Sequence, residues 1–377
     1  MTHDTHTWQT AWTQAVTDIR GMAPETHDVT LRFTVPIALT GSHVRFTLSN
    51  QHGTTAIRIG SAAAVLGDAS VQATFSGELS AEVAPGGELT SDPIDIHTTA
   101  GDELAIDLYL PEPTPHATGN LAGLAWVVSE RGDHAGDLNF PAPPPALVEG
   151  PGGTSYMPPA PLLRNIEISG ANAQTIVACL GDSITAAGWP NKATALLQGT
   201  GVIFLNRGLA GNRLREDGAG WAGAFFGRAG LTRFDDDVLN TSGVTHSIIA
   251  LGTNDLGHPG SPSAPNDTVP TFEDLTASIT DLIRRCQSAG ISPTLATITP
   301  FTPAEGYDPA REQTRGHVND WIRSHPHGAA VLDFAEALQS PTNPTALASQ
   351  YDSGDHLHPN DAGQSRLAEE AATAFRA

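Results

Sequence analysis

Three residues of this 377-residue chain can together carry out nucleophilic chemistry, although the chain separates them widely. Ser183 stands in Gly181-Asp182-Ser183-Ile184, while Asp355 and His358 stand in Asp355-His356-Leu357-His358. A serine hydroxyl is a poor nucleophile at neutral pH, so an imidazole must take its proton and a carboxylate must hold that imidazole in the right tautomer. Asp355 and His358, three positions apart, can supply both from one loop. The expected roles are nucleophile for Ser183, base for His358 and orienter for Asp355.

Something must position them. Thr175-Ile176-Val177-Ala178-Cys179-Leu180 is a continuous apolar run of strand length, as expected for a parallel strand buried on both faces. Ser183 then lies just past its carboxyl end, where open α/β sheets bind ligands. Val202-Ile203-Phe204-Leu205 is a second such run and leads into the glycine-bearing turn Asn206 to Asn212, whose backbone N–H groups can face a ligand. Gly211 is the candidate donor there. A third run, Ser247 to Leu251, ends in Gly252-Thr253-Asn254-Asp255 and brings the Asn254 amide to the same edge, where a developing oxyanion needs a donor.

These segments resemble the four signature blocks of the SGNH hydrolases, also called the GDSL esterase/lipase family. Gly-Asp-Ser, Gly-Asn after an Asn-Arg-Gly turn, Gly-Thr-Asn-Asp and Asp-x-x-His-Pro occur in that order, across roughly the second half of the chain. The resemblance implies a flavodoxin-like three-layer α/β/α domain that hydrolyses esters. By position it makes Ser183 the nucleophile and, through its N–H, the first oxyanion donor. It makes the Gly211 N–H and the Asn254 side chain the other two donors, His358 the base and Asp355 its partner. Residue 184 is Ile where many relatives have Leu, an apolar exchange that leaves the chemistry unaltered. Thr185 ends the segment where Gly-x-Ser-x-Gly would need glycine, which argues against the nucleophile elbow of ordinary α/β-hydrolases.

Length suits two domains. The 41 acidic and 19 basic side chains give a net charge of −22, which disfavours nucleic acid and anionic membrane surfaces as partners. Lys192 is the one lysine. No stretch approaches 18 apolar residues, so no transmembrane helix and no membrane insertion are expected. Met1 to Trp8 lacks a basic start and an apolar core, so the reading is a cytoplasmic chain without a signal peptide, or a secreted one whose leader has been removed. Cys179 and Cys286 read as buried thiols rather than a disulfide.

Residues 22–140 alternate with period two in short runs, among them Val29 to Val35, His43 to Asn50, Ala56 to Gly60, Ile94 to Ile96, Leu104 to Leu110 and Leu124 to Val128. That pattern predicts an all-β, jelly-roll-like sandwich. A proline- and glycine-rich segment over 141–160 reads as a linker, after which Asn165 to Ser169 can return as a last strand. The expected domains are thus a β-sandwich over 1–172 and the hydrolase over 173–377. Some SGNH esterases of bacterial carbohydrate-degrading type have a sandwich in front of the hydrolase, and this arrangement resembles theirs. Pro293 to Ile298 and Ala329 to Asp333 bring the strands of the second domain to about five, with helices beginning near Thr271 and Asn360.

Other side chains invite weaker readings. Asp182 and Asp255 can shape their turns, and Asp182 is also a candidate for the substrate pocket; two carboxylates beside a serine could otherwise suggest a glycosidase pair. The glycine-rich run from Gly218 to Gly227 can wall the pocket through Trp221 and Phe225, or its aromatics can simply pack on the sheet. Arg213 and Arg215 can bind an anionic substrate or pair with Glu216 and Asp217; the second reading is preferred. Of the 15 histidines, His3, His6, His325 and His327 read as surface groups, and His325-Pro326-His327 lacks a third metal ligand at useful spacing. The expected activity is hydrolysis of short acyl esters on a saccharide or small molecule, with no cofactor and no metal. Lipid, lysophospholipid or aryl esters are the alternative substrates. A carbohydrate-binding protein with an idle site, and acyl transfer to a sugar hydroxyl, are the alternative activities; oligomeric state is left open.

Overall fold

The computed structural model describes residues 7–121, 124–143, 148–149, 155–156, 158–171, 173–220, 223–304 and 308–376. The chain divides into two units, Met1–Ala173 and Gln174–Ala377.

In the first unit, alternation along the sequence becomes alternation between core and surface. Leu31, Phe33 and Val35 of the strand Val29–Pro36 are fully buried, as are Leu104, Ile106 and Leu108 of its antiparallel neighbour Glu103–Leu110. One sheet runs in the order Ala125–Arg131, Val29–Pro36, Glu103–Leu110, Ser61–Leu66, Ala69–Gln72. A second runs Trp8–Thr13, Leu163–Ser169, His43–Ser49, Glu88–Thr90, so the segment after the proline-rich stretch lies between two earlier strands. All pairings in both are antiparallel. Ile94 to Ile96 does not form the expected strand. Pro93 lacks the N–H a ladder needs, and only an isolated bridge between Val44 and Ile94 remains.

The second unit changes to parallel pairing. Its strands are β1 (Thr175–Gly181), β2 (Val202–Gly208), β3 (His246–Ala250), β4 (Ser292–Ala296) and β5 (Ala330–Leu332), ordered β2-β1-β3-β4-β5. That is the flavodoxin-like order, and its direction reverses between β1 and β3. The helices are α1 (Ser183–Ala186), α2 (Trp189–Leu196), α3 (Gly223–Phe226), α4 (Gly230–Phe234), α5 (Thr253–Gly257), α6 (Phe272–Ser288), α7 (Pro309–Arg323), α8 (Phe334–Leu338) and α9 (Asp361–Ala374).

Successive residues of β1 feed two separate cores. Ala178 and Leu180 join Leu275, Ile279, Leu282 and Ile283 of α6 and Val318 and Ile322 of α7. Val177 and Cys179 join Trp189 of α2, Phe334 of α8 and Leu367 and Ala371 of α9. This is why the strand is apolar throughout, and the result is three layers, helices on either face of one sheet. At about 1.5–3 kcal/mol per fully buried large aliphatic side chain, these two layers hold the strand ends in place. The α6 entry has the expected reciprocal cap, with Thr271 Oγ1 accepting from the Asp274 N–H and the Asp274 side chain accepting from the Thr271 N–H. Among the described residues, no helix is long and apolar enough to cross a membrane.

Candidate active site

The turn from β1 into α1 sets Ser183. Asp182 caps the helix, its Oδ1 accepting the Ile184 N–H at 3.0 Å, and Ser183 is the first helical residue. Its own N–H belongs to the first turn and has no acceptor within the helix. A Cβ on Gly181 would lie 2.0 Å from Thr185 Oγ1, so the turn closes this tightly only on glycine. Behind it, Trp189 N–H donates to Gln364 Oε1 at 3.0 Å and Gln364 Nε2 donates to the Ile184 carbonyl at 3.1 Å. These bonds tie the serine turn to α9.

The candidate base, His358, arrives from a segment 175 residues later in the chain. His358 stands immediately before Pro359 and the Asn360 cap of α9, whose Oδ1 accepts from the Gly363 N–H at 3.0 Å. His358 Nε2 lies 2.8 Å from Ser183 Oγ, and His358 Nδ1 lies 2.6 Å from Asp355 Oδ2. The carboxylate fixes the proton on Nδ1, leaving Nε2 to accept from the serine hydroxyl. Asp355 Oδ1 accepts further bonds from the Leu357 and His358 N–H groups and from Ser353 Oγ. Burial works against the charge of Asp355, but the His358 ring and these N–H groups outweigh it and hold the carboxyl well below the usual range. His356 turns to a different partner: its Nδ1 lies 2.7 Å from Asp352 Oδ2, with φ at +63°.

The proposed oxyanion donors come from the two neighbouring strand ends. Gly211, after β2, has φ +69°, and a Cβ there would meet the Phe226 ring at 2.1 Å. Its N–H has no hydrogen-bond partner among the described residues. Asn254, in the first turn of α5 after β3, is buried and gives one amide N–H to the Asn212 carbonyl at 3.0 Å. The second N–H of that amide is left for a ligand. Asp255 clamps the two loops together by accepting from the Leu214 N–H at 2.7 Å and the Arg215 N–H at 3.1 Å. Burial pushes its carboxyl up.

Asp182 is 2% exposed, and burial pushes its carboxyl up to about 6 against the opposing pull of the Ile184 N–H and of the His358 charge. It lines an internal cavity of about 20 Å³ shared with Ile184, Thr253 and Thr299. Phe225 is half-buried and tilts against Phe226 at 6.1 Å, while Phe226 stacks on His258 at 5.1 Å. Trp221 lies outside the described residues. Arg213 pairs with Asp267 at 2.6 Å and with the Asp217 carbonyl, and Arg215 reaches Asp274 at 3.3 Å. The preferred pairing with the Glu216 and Asp217 side chains is therefore corrected: folding brings partners from 50 or more residues away, and Asp217 contributes its backbone oxygen. Among the described residues, no group of three His, Cys, Asp or Glu side chains could hold a metal ion.

Residues 179–366 match the GDSL-like Lipase/Acylhydrolase family. The second unit is a GDSL-like lipase/acylhydrolase domain. No curated protein matches the chain. Among solved structures, the acylhydrolase domain is similar to a protein of the G-D-S-L family from Desulfitobacterium hafniense, with 23% identity, a TM-score of 0.42, and coverage of 54% of this chain and 100% of the other. A GDSL-like lipase from Bacteroides thetaiotaomicron is 20% identical at a TM-score of 0.41, over 53% of this chain and 87% of its own. An acetyl xylan esterase from Geobacillus stearothermophilus is 20% identical at a TM-score of 0.41, over 54% and 94%.

Three residues of the acylhydrolase domain that hold its site together do not stand out in the sequence: Asn212, Arg233 and Gln364. Asn212 belongs to the Gly-Asn block, so only its role is hidden. Arg233 has one local signal, Asp237 four residues on in the acidic run Asp235-Asp236-Asp237. Nothing local marks Gln364, whose partners Ile184 and Trp189 lie far away in sequence.

Proposed function

We propose that the acylhydrolase domain hydrolyses carboxylic esters through an acyl-enzyme on Ser183. The observation that carries this reading is the unbroken chain from Ser183 Oγ to His358 Nε2 and from His358 Nδ1 to Asp355. In the first half-reaction Ser183 Oγ bonds to the ester carbonyl carbon as its proton passes to His358 Nε2. The carbonyl oxygen gains negative charge and is held by the Ser183 and Gly211 N–H groups and the Asn254 amide. The carbon–alkoxide bond then breaks, and the alkoxide leaves with the proton from His358. In the second half, water attacks the acyl carbon, gives its proton to His358, and Ser183 regains one as the acid departs.

The substrate we propose is a short acyl ester on a saccharide or small polar alcohol. The open rim, where Asp355 is exposed, favours a polar alcohol part left in solvent. The test is a series of p-nitrophenyl esters from acetate to palmitate beside acetylated saccharides, with Ser183→Ala as control. Acetate is expected to turn over fastest, and Ser183→Ala to lose roughly 10³-fold or more. Retention of more than about a tenth of the activity in that variant would exclude Ser183 as nucleophile.

A further inference from the structure

Arg207, Arg213, Arg233 and Arg315 are each 5% exposed or less and take no part in these proton transfers; of them, Arg233 reaches the carbonyl two residues before Ser183. A lone buried cation is expensive, and burial does lower its pKa, but Asp237 Oδ2 stands 2.6 Å from Nη1 and offsets the cost. The remaining donors are spent on the parts that form the site. Nη2 donates to the Gly181 carbonyl at 2.8 Å, at the end of β1 and two residues before the nucleophile. Nη1 also donates to the Arg207 carbonyl at 2.8 Å, at the end of β2. Nε donates to Asn212 Oδ1 at 3.0 Å.

Asn212 has little freedom in this arrangement. Its amide nitrogen donates to the Phe226 and Arg228 carbonyls, both at 2.8 Å, so its side-chain oxygen must face Arg233. Its backbone carbonyl takes the Asn254 amide N–H at 3.0 Å. Arg233 therefore ties the serine turn on one side to the loop carrying Gly211 and orienting Asn254 on the other. The local backbone is shaped to match, since α4 passes into a π-helical turn, Asp235–Leu239, closed by Asn240 N–H to the Asp235 carbonyl at 2.8 Å. Such turns concentrate at functional sites, and this one carries Asp237, whose carboxylate lies 2.6 Å from Arg233 and 3.7 Å from Arg207.

We propose that Arg233 is a positioning residue for oxyanion formation, setting the distance between Ser183 and the Gly211 and Asn254 donors through Gly181 and Asn212. The proposal rests on the serine-hydrolase reading of the site. What it requires is the planar fork, not charge alone, because an ammonium cannot reach four acceptors from three separate segments at once.

The test compares Arg233→Lys with the parent in kcat and KM for p-nitrophenyl acetate, and in the rate at which a fluorophosphonate labels Ser183. Activity is normalised to labelled sites, so that a fraction of unfolded protein does not count as slow catalysis. A fall of about 10- to 100-fold in both kcat and labelling rate, with KM within about twofold, is expected for donors displaced by a fraction of an ångström to an ångström. Unchanged kcat per labelled site, or a loss confined to KM, would overturn the positioning role. Should circular dichroism show that Arg233→Lys does not fold, Asn212→Ala decides instead: it removes one arm of the bridge and is expected to lower kcat without moving KM, and an unchanged kcat overturns the proposal. A parent protein that neither hydrolyses esters nor accepts the fluorophosphonate defeats the serine-hydrolase reading itself, a result distinct from equal activity in parent and variant.

Discussion

At the scale of single residues, the proposed mechanism separates groups that move protons from groups that hold charge. Asn254 belongs to the second kind, with one N–H committed to Asn212 and one left for the oxyanion. Asn254→Ala is expected to lower kcat by roughly 10²- to 10³-fold with little change in KM, because the lost bond strengthens only as charge develops. Steady-state kinetics on p-nitrophenyl acetate check this; a pure rise in KM would move Asn254 into ground-state binding. Asp182 is different. Its carboxyl is raised to about 6 from an ordinary 3.8, so the folded chain holds this proton more tightly than the unfolded one. Stability attributable to Asp182 therefore falls as pH rises between about 4 and about 6, and the cost is complete above that window. Asp182→Asn keeps the acceptor for the Ile184 N–H and removes the titration. Its Tm relative to the parent is expected to climb from pH 4 to pH 7 and then level off, and a difference that stays flat across that range would count against the raised carboxyl.

At the scale of elements, the proposed nucleophile and oxyanion donors stand at or just past strand ends, and Asp355 and His358 in the loop that enters α9, held by caps and by glycines that let segments approach. The α6 cap was legible in Thr271-Phe272-Glu273-Asp274 because capping is local, spanning four residues. Thr271→Ala is expected to cost about 1 kcal/mol in stability. Denaturant titration measures it. The strands of the second unit were equally legible, because burial on both faces forces an uninterrupted apolar run. Ile94 to Ile96 misled for a local reason of the opposite kind, since its alternation was right and Pro93 withheld the donor a ladder requires. Trp8–Thr13 and Ser61–Leu66 gave weaker signals, the latter because Ala62, Ala63 and Ala64 have low β-propensity and are recruited by their neighbours in the sheet.

At the scale of the whole molecule, the proposed nucleophile, base, orienter and all three donors fall within Gln174–Ala377. We propose that the first unit supplies no group to the chemistry. A chain beginning at Gln174 is expected, once circular dichroism shows it folded, to hydrolyse p-nitrophenyl acetate at a rate near that of the parent. A folded but inert product would assign part of the site to the first unit.

By itself the sequence determined the family of the second domain, because Gly-Asp-Ser, Gly-Thr-Asn-Asp and Asp-x-x-His-Pro are short blocks whose caps, turns and paired side chains form within a few residues. Asp355 and His358 reach one another across three positions, and Asp182 caps its own helix. Tertiary structure alone decided what aligns the blocks. The acceptors of Arg233 come from residues 181, 207, 212 and 237, and the partners of Gln364 from 184 and 189. No spacing in the chain announces such bonds, since they exist only after parallel strands have been laid side by side and their carbonyl ends brought to one edge.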